Sequence, residues 1–337
     1  MTQRNLEQHI AGALAGMVLG DAFGVPGELW PRQKVRQRFG DITTFLDGPQ
    51  DNIVACYFKA GHYTDDSAQA LVILHDLLKY GRVPEVKILA QDLIAWVESM
   101  NGFEINLLGP SSKAALLAHV KGEDYTVYTK TALTNGAAMR IAPVGCFFNQ
   151  GEEESLSRTV AKVSAVTHGT DVAIAGASMV AAAVAAFLHS DDRQAAIHAV
   201  KQAYHAAMPL GEPTWAADLL ARFELSLKKI EEHPSEEQMS LWVYQVLGTG
   251  TMTSESVSAA LAIAFYCDTP QQAAHLCANL GGDTDTIGAM ACAIVGARCG
   301  LSGFAKETIA YLEKTNQLDF KALAATIVAA RDSFIKE

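Results

Sequence analysis
Residues 67–80 read SAQALVILHDLLKY and are followed by Gly81. Apolar side chains recur along them at helical spacing, and a glycine just past the last one is a common left-handed stop for a helix. The same reading extends outward. Residues 84–99 open with Pro84, which suits a first helical turn, and keep the periodicity. So do 160–166, 170–189, 192–207, 213–231, 235–246, 254–267, 270–280, 286–299 and 319–334. The best strand candidate, the run 53–58, is short. Abundant alanine and few hairpin signals predict one all-α domain over residues 1–337, built as a helical bundle. The stretches 20–64, 100–112 and 122–145 are long connections for a plain bundle, and long loops on a helical frame are expected to carry function.

The chain has 337 residues, half of them hydrophobic and 19% charged, which is ample for a sizeable core. Lys plus Arg number 26 against 37 Asp plus Glu, a formal net charge of −11. Coating a phosphate backbone needs surplus cations, so nucleic acid is excluded as a bulk partner. Cys56, Cys146, Cys267, Cys277, Cys292 and Cys299 form no C-x-x-C pair, and most lie in apolar stretches, as free thiols of a reducing cytoplasm do. Residues 172–188 are rich in alanine and fall short of the ~20 strongly apolar residues of a spanning helix, which predicts a buried core helix and no membrane partner. The N-terminal apolar run is soon interrupted by Asp21 and predicts no signal peptide.

Two acidic segments stand apart: 61–67 (GHYTDDS) and 281–286 (GGDTDT), each directly before an apolar helix. Helix capping accounts for one oxygen in each, because Asp, Ser and Thr satisfy orphan N–H groups. It leaves the others unexplained, and adjacent carboxylates repel unless something positive lies between them. Asp283 and Asp285 converge only from a loop or a first helical turn, which the paired glycines permit. The donors are all oxygens, a set that suits Mg²⁺ or Mn²⁺ rather than zinc, and four carboxylates with threonine hydroxyls can hold two ions about 3.5–4 Å apart.

At these residues the sequence resembles the ADP-ribosylglycohydrolase family, the group that includes dinitrogenase-reductase-activating glycohydrolase and the eukaryotic ADP-ribosyl-acceptor hydrolases. The resemblance runs through 12–24 (GALAGMVLGDAFG), Thr64-Asp65-Asp66, 135–144 (NGAAMRIAPV), Thr167-His168, 255–265 (ESVSAALAIAF) and 279–289 (NLGGDTDTIGA). It implies an all-α orthogonal bundle in which Thr64, Asp65, Asp66, Asp283, Asp285 and Thr286 ligate two Mg²⁺ or Mn²⁺ ions. Glu28, eight residues after Gly20, resembles the gating glutamate of the acceptor hydrolases. Asn135 and Gly136 resemble the family's substrate loop, and His168 a position lining its ligand cleft. Gly109 and Ser111, in Gly109-Pro-Ser-Ser112, precede a helix whose N–H groups and hydroxyls suit a diphosphate or a plain cap. Arg140 is read either as part of the substrate loop or as a partner for a buried acid.

Departures from the family fall at the nucleotide end. Relatives acting on protein-linked ADP-ribose often carry Ser-Tyr-Gly before the Asn-Gly and a second Gly after it, where this chain has Ala132-Leu133-Thr134 and Ala137. Trp30 adds a bulky aromatic next to Glu28. The implied reaction is hydrolysis of the C1″ glycosidic bond of a small-molecule or protein-linked ADP-ribosyl or ribosyl substrate. Two metal ions would orient the sugar and acidify a water, Asp66 or Asp283 would accept its proton, and Glu28 would act at the gate. Two other readings remain: hydrolysis of a smaller nucleoside-type compound or free ADP-ribosylated metabolite, and a non-catalytic binding module of the same fold.

Overall fold
The computed structural model describes residues 4–337. Its helices are α1 (Leu6–Gly24), α2 (Arg32–Phe39), α3 (Asp65–Tyr80), α4 (Val86–Ser99), α5 (Pro110–Lys121), α6 (Thr126–Thr129), α7 (Ala142–Gly145), α8 (Glu153–Ser164) and α9 (Asp171–His189). They continue as α10 (Arg193–Ala207), α11 (Leu219–Glu231), α12 (Glu236–Trp242), α13 (Thr253–Tyr266), α14 (Pro270–Ala278), α15 (Thr284–Cys299), α16 (Lys306–Asn316) and α17 (Phe320–Arg331). Among the described residues, extended backbone pairs only as isolated bridges, so the architecture is all-α as expected.

The pair α1 and α15 organises the core. Gly12, Gly16, Gly20 and Gly24 recur every fourth residue, which puts them on one face of α1. A methyl group at Gly12 would strike the carbonyl of Gly296, at Gly16 that of Cys292, at Gly20 that of Gly288, and at Gly24 the backbone of Asp285. The order of these contacts makes the helices antiparallel, with main chain against main chain. The C-terminal end of α1, bearing Asp21, therefore meets the N-terminal end of α15, bearing Asp283 and Asp285.

Helix α9 forms the other spine, with every residue from Val172 to Leu188 buried. Two segments, Leu6–Gly27 and Asp171–His189, are long and apolar enough to cross a membrane, but their apolar windows are buried within the fold. The N-terminal run does not stop at Asp21: α1 carries that residue inside it and ends three residues later, at Gly24.

Other boundaries follow local chemistry. Helix α3 ends as expected, with Gly81 at φ +63°. Pro84 precedes α4 rather than opening it. The strand expected at 53–58 is instead a 3₁₀ turn over Ala55–Tyr57. There Oδ1 of Asn52 accepts the N–H groups of Val54 and Ala55 at 3.0 and 3.2 Å, a side-chain turn that competes with extension. The helix expected from 213 begins at Leu219, because Thr214 donates its N–H and hydroxyl to Asp171 and Asp218 supplies the cap.

Candidate active site
Helix α3 starts where it does because another helix receives its first N–H groups. Asp21, fully buried on α1, accepts the N–H of Thr64 at 2.9 Å and that of Ser67 at 3.0 Å. The Thr64 hydroxyl caps the N–H of Asp66 at 3.4 Å. With those donors satisfied, the carboxylates of Asp65 and Asp66 face a cavity instead of capping.

The second acidic segment arrives from α15. Gly281 and Gly282 take φ of +80° and +89°, a turn that side-chain-bearing residues resist. Leu29 donates its N–H to the Gly282 carbonyl at 2.6 Å, and Gly282 returns its own to the Trp30 carbonyl at 2.8 Å. The Glu28 segment is thereby tied to the residue before Asp283. Asp283 holds the N-cap position of α15 yet makes no side-chain cap bond. Its Oδ2 instead accepts the Asn135 amide at 2.5 Å, and Asn135 also donates to Ser256 at 2.9 Å. Capping therefore does not account for either acidic pair.

Glu28, Asp65, Asp66, Asp283, Asp285 and Thr286 line one cavity of about 240 Å³. Among the described residues lining it there is no Lys or Arg. Leu29, Ile53, Val54, Leu107, Leu108 and Met139 give it an apolar side, and Asn106, Ser112, Thr134, Gly136 and Thr251 add polar atoms or main chain.

Burial pushes every one of these carboxyls above the usual range, because low-polarity surroundings penalise the charged form. Asp65 is raised to about 8 by burial, then by Asp21 and Asp283. Asp283 and Asp21 are raised to about 6 by burial, with hydrogen bonds from Asn135 and from Thr64 and Ser67 opposing the rise. Glu28, Asp66 and Asp285 are pushed well up by burial and by their acidic neighbours. Oδ2 of Asp66 and Oδ1 of Asp285 are buried with no hydrogen-bond partner. Buried acceptors of that kind are costly, and a cation would satisfy them. Among the described residues no three acidic, His or Cys side chains are already drawn into a closed shell around one point. The orphaned oxygens, the all-oxygen donor set and the facing carboxylates nonetheless fit hard divalent cations.

The other expected residues divide. Gly109 and Gly136 line the cavity, but Ser111 does not; Ser112, one position on, does. Asn135 lines it too, although its amide is committed to Asp283 and Ser256 rather than free for a ligand. Thr64 lies off the cavity as the cap of α3, which departs from its expected ligand role. His168 is fully buried behind the wall and is not a cleft residue: a methyl at Gly136 would lie 2.6 Å from its Cε1. Burial and the Arg140 charge push its pKa down to about 3, so the ring is neutral. Trp30 turns away, stacking on Phe39 with Lys34 above its ring, and Leu29 lines the cavity with φ +53°. Leu133 packs towards the core.

Asp21 and Gln69 went unread as site residues. The signal for Asp21 was its place in G-D-A-x-G, a charged residue amid an apolar run. The signal for Gln69 was its i,i+4 spacing from Asp65 on one helix.

A family model described as ADP-ribosylglycohydrolase matches residues 2–333. YegU, an uncharacterized protein of Escherichia coli (strain K12), is 39% identical over 325 residues, 96% of this chain and 97% of that protein. An ADP-ribosylarginine hydrolase, Tri1, of Pseudomonas putida (strain GB-1) is 25% identical over 305 residues, 88% of this chain and 72% of its relative. Among solved structures, a chain of an ADP-ribosylglycohydrolase-related protein complex matches with a TM-score of 0.70 over 97% of this chain and 99% of the other, at 20% identity, a likeness of fold.

Proposed function
The chain belongs to the ADP-ribosylglycohydrolase family, and from that premise we propose that it is a divalent-cation-dependent hydrolase of the C1″ glycosidic bond of an ADP-ribosyl or related ribosyl group. The observation that carries the reading is the convergence of Glu28, Asp65, Asp66, Asp283 and Asp285 on one cavity, with an orphaned oxygen on each of Asp66 and Asp285.

Asp65, Asp66, Asp283, Asp285 and Thr286 would hold two Mg²⁺ or Mn²⁺ ions, with Thr64 at the edge. Bound there, the ions would supply Lewis acidity and a template for the ribose hydroxyls. The chain's own groups do the rest. The carboxylates stabilise positive charge developing at C1″. Asp66 or Asp283 would accept a proton from the attacking water, and Oδ2 of Asp283 is engaged by Asn135. Glu28, tied through its neighbours to Gly282, closes the cavity on the side of Leu29. Under this reading the protein works in a reducing cytoplasm, which its six free cysteines suit.

A second reading has its own support. A cavity of about 240 Å³ with no Lys or Arg among the described residues lining it lies below the ~300–1,000 Å³ of drug-sized ligand sites, and favours a small ribosyl compound over one carrying a diphosphate. The test compares ADP-ribosyl-arginine with nucleosides as substrates, before and after EDTA and with Mg²⁺ or Mn²⁺ restored. Hydrolysis that EDTA abolishes and the ion restores is expected, and is lost in Asp65→Ala and Asp283→Ala. Activity indifferent to EDTA overturns the proposal. Ligand binding without turnover of any substrate makes the protein a binding module.

A further inference from the structure
Behind the cavity wall, a single buried arginine joins two hydrogen-bond chains. Arg140 is fully buried, and its hydrogen-bond partners among the described residues are a side-chain amide and a hydroxyl. Its Nη1 donates to Oε1 of Gln69 and its Nη2 to the Thr167 hydroxyl, each at 2.5 Å. Gln69 in turn donates Nε2 to Oδ2 of Asp65 at 2.9 Å. On the other side, the Thr167 oxygen lies 2.8 Å from Nδ1 of His168, whose Nε2 lies 3.0 Å from the Thr134 hydroxyl. Thr134 donates onward to Ser111 at 3.0 Å.

On the Gln69 side the bond directions follow from one fact: a guanidinium only donates. Oε1 of Gln69 must then face Arg140, so Nε2 faces Asp65, and a donor there demands an unprotonated oxygen. The Thr167 oxygen likewise accepts from Arg140, which frees its own proton for Nδ1 of His168. In that arrangement the imidazole proton sits on Nε2 and is donated to Thr134, the neighbour of Asn135. Reversing the Gln69 amide would set a donor against a donor beside a fixed charge.

We propose that Arg140 is the positioning residue of this site, setting through Gln69 the orientation of Asp65 as a cation ligand and through Thr167 the tautomer of His168 that holds the Thr134–Asn135 loop. The Asp65 half rests on the cation reading above; the His168 half does not.

The test uses the full chain and two readouts that need no turnover: Mn²⁺ affinity by electron paramagnetic resonance, and the His168 tautomer by long-range ¹H–¹⁵N correlation, assigned by loss of its signals in His168→Gln. In the unmutated protein the proton is expected on Nε2. Gln69→Leu should weaken Mn²⁺ about 10–100-fold, the usual effect of removing a group that orients a ligand, and leave the tautomer alone. Thr167→Val should do the reverse, mixing the tautomers and sparing Mn²⁺ affinity. Arg140→Met should do both, and should it fail to fold, the two branch variants decide the matter. A proton on Nδ1 in the unmutated protein, or full Mn²⁺ affinity in Gln69→Leu, overturns the proposal. If the unmutated protein binds no Mn²⁺ or Mg²⁺, the proposed function and the Asp65 half fall together, and the tautomer arm still decides the His168 half.

Discussion

Asn135 donates its side-chain amide to Oδ2 of Asp283 at 2.5 Å, joining the turn after α6 to the head of α15. The bond fixes the carboxylate's rotation and takes one of its two oxygens. Asn135→Ala leaves that buried oxygen unpartnered, a penalty of about 1–3 kcal/mol in stability. It should also weaken divalent-ion affinity about 10–100-fold. Denaturant melts and Mn²⁺ titration check the two effects. Asn135→Asp sets a fifth acid against Asp283 in place of a donor and should be worse on both counts.

Acids whose folded pKa lies above the unfolded value of ~4 stabilise the folded chain most at low pH. Here Asp21 and Asp283 are raised to about 6 and Asp65 to about 8. Their contribution is complete below ~4 and is lost as pH rises through 6 and then 8. Protein stripped with EDTA should therefore melt at progressively lower temperature from pH 5 to pH 8, and saturating Mg²⁺ or Mn²⁺ should flatten the profile. Scanning fluorimetry on both forms measures this, and a metal-free profile that rises with pH contradicts it.

The Glu28 segment is held by main chain: Gly282 bonds to Leu29 and Trp30, and Asn52 donates to the Glu28 carbonyl at 2.7 Å. Glu28→Ala keeps all of these. Turnover should fall about a hundredfold, the scale of a mispositioned substrate, while Mn²⁺ affinity stays put. Loss of the ion in this variant would make Glu28 a ligand instead.

Gly20→Ala drives a methyl group into the Gly288 carbonyl. Forced overpacking of a tight contact costs about 1–3 kcal/mol or more. Because Asp21 is the next residue, divalent-ion affinity should fall with stability. Chemical denaturation and Mn²⁺ titration, with Ala22→Gly as a control elsewhere on the same helix, separate the wedge from a general loosening.

The helical frame was legible wherever a helix has a wet side. Residues 67–80 show apolar and polar faces and a terminal glycine, and α3 ends at that glycine. Helix α1 was opaque for the opposite reason: every residue from Ile10 to Gly24 is buried, so no contrast of faces betrays a period. The acidic pairs were legible because several carboxylates exceed what a cap needs. Asp21 stood out as a charge in an apolar run, but its role depends on α3 arriving across the fold. Ser111 and Ser112 differ by one step of helical rotation, which only the phase of α5 decides, and the phase favours Ser112. The Arg140 links of the Asp65–Gln69–Arg140–Thr167–His168 chain have no trace in local spacing, because they exist only once three parts of the chain meet.

At Gly12, Gly16, Gly20 and Gly24, main chain of α1 rests on main chain of α15. The gap that the two acidic segments share is therefore gauged by peptide thickness, and no flexible layer exists to retune it. Gly12 and Gly20 alone are about 12 Å apart along that seam, long enough to resist tilt as well as separation. Diversification of this protein should then concentrate on the apolar lining of the cavity, at Leu29, Ile53, Leu107 and Met139. There, side chains can change what enters the cavity without disturbing the spacing of the acids.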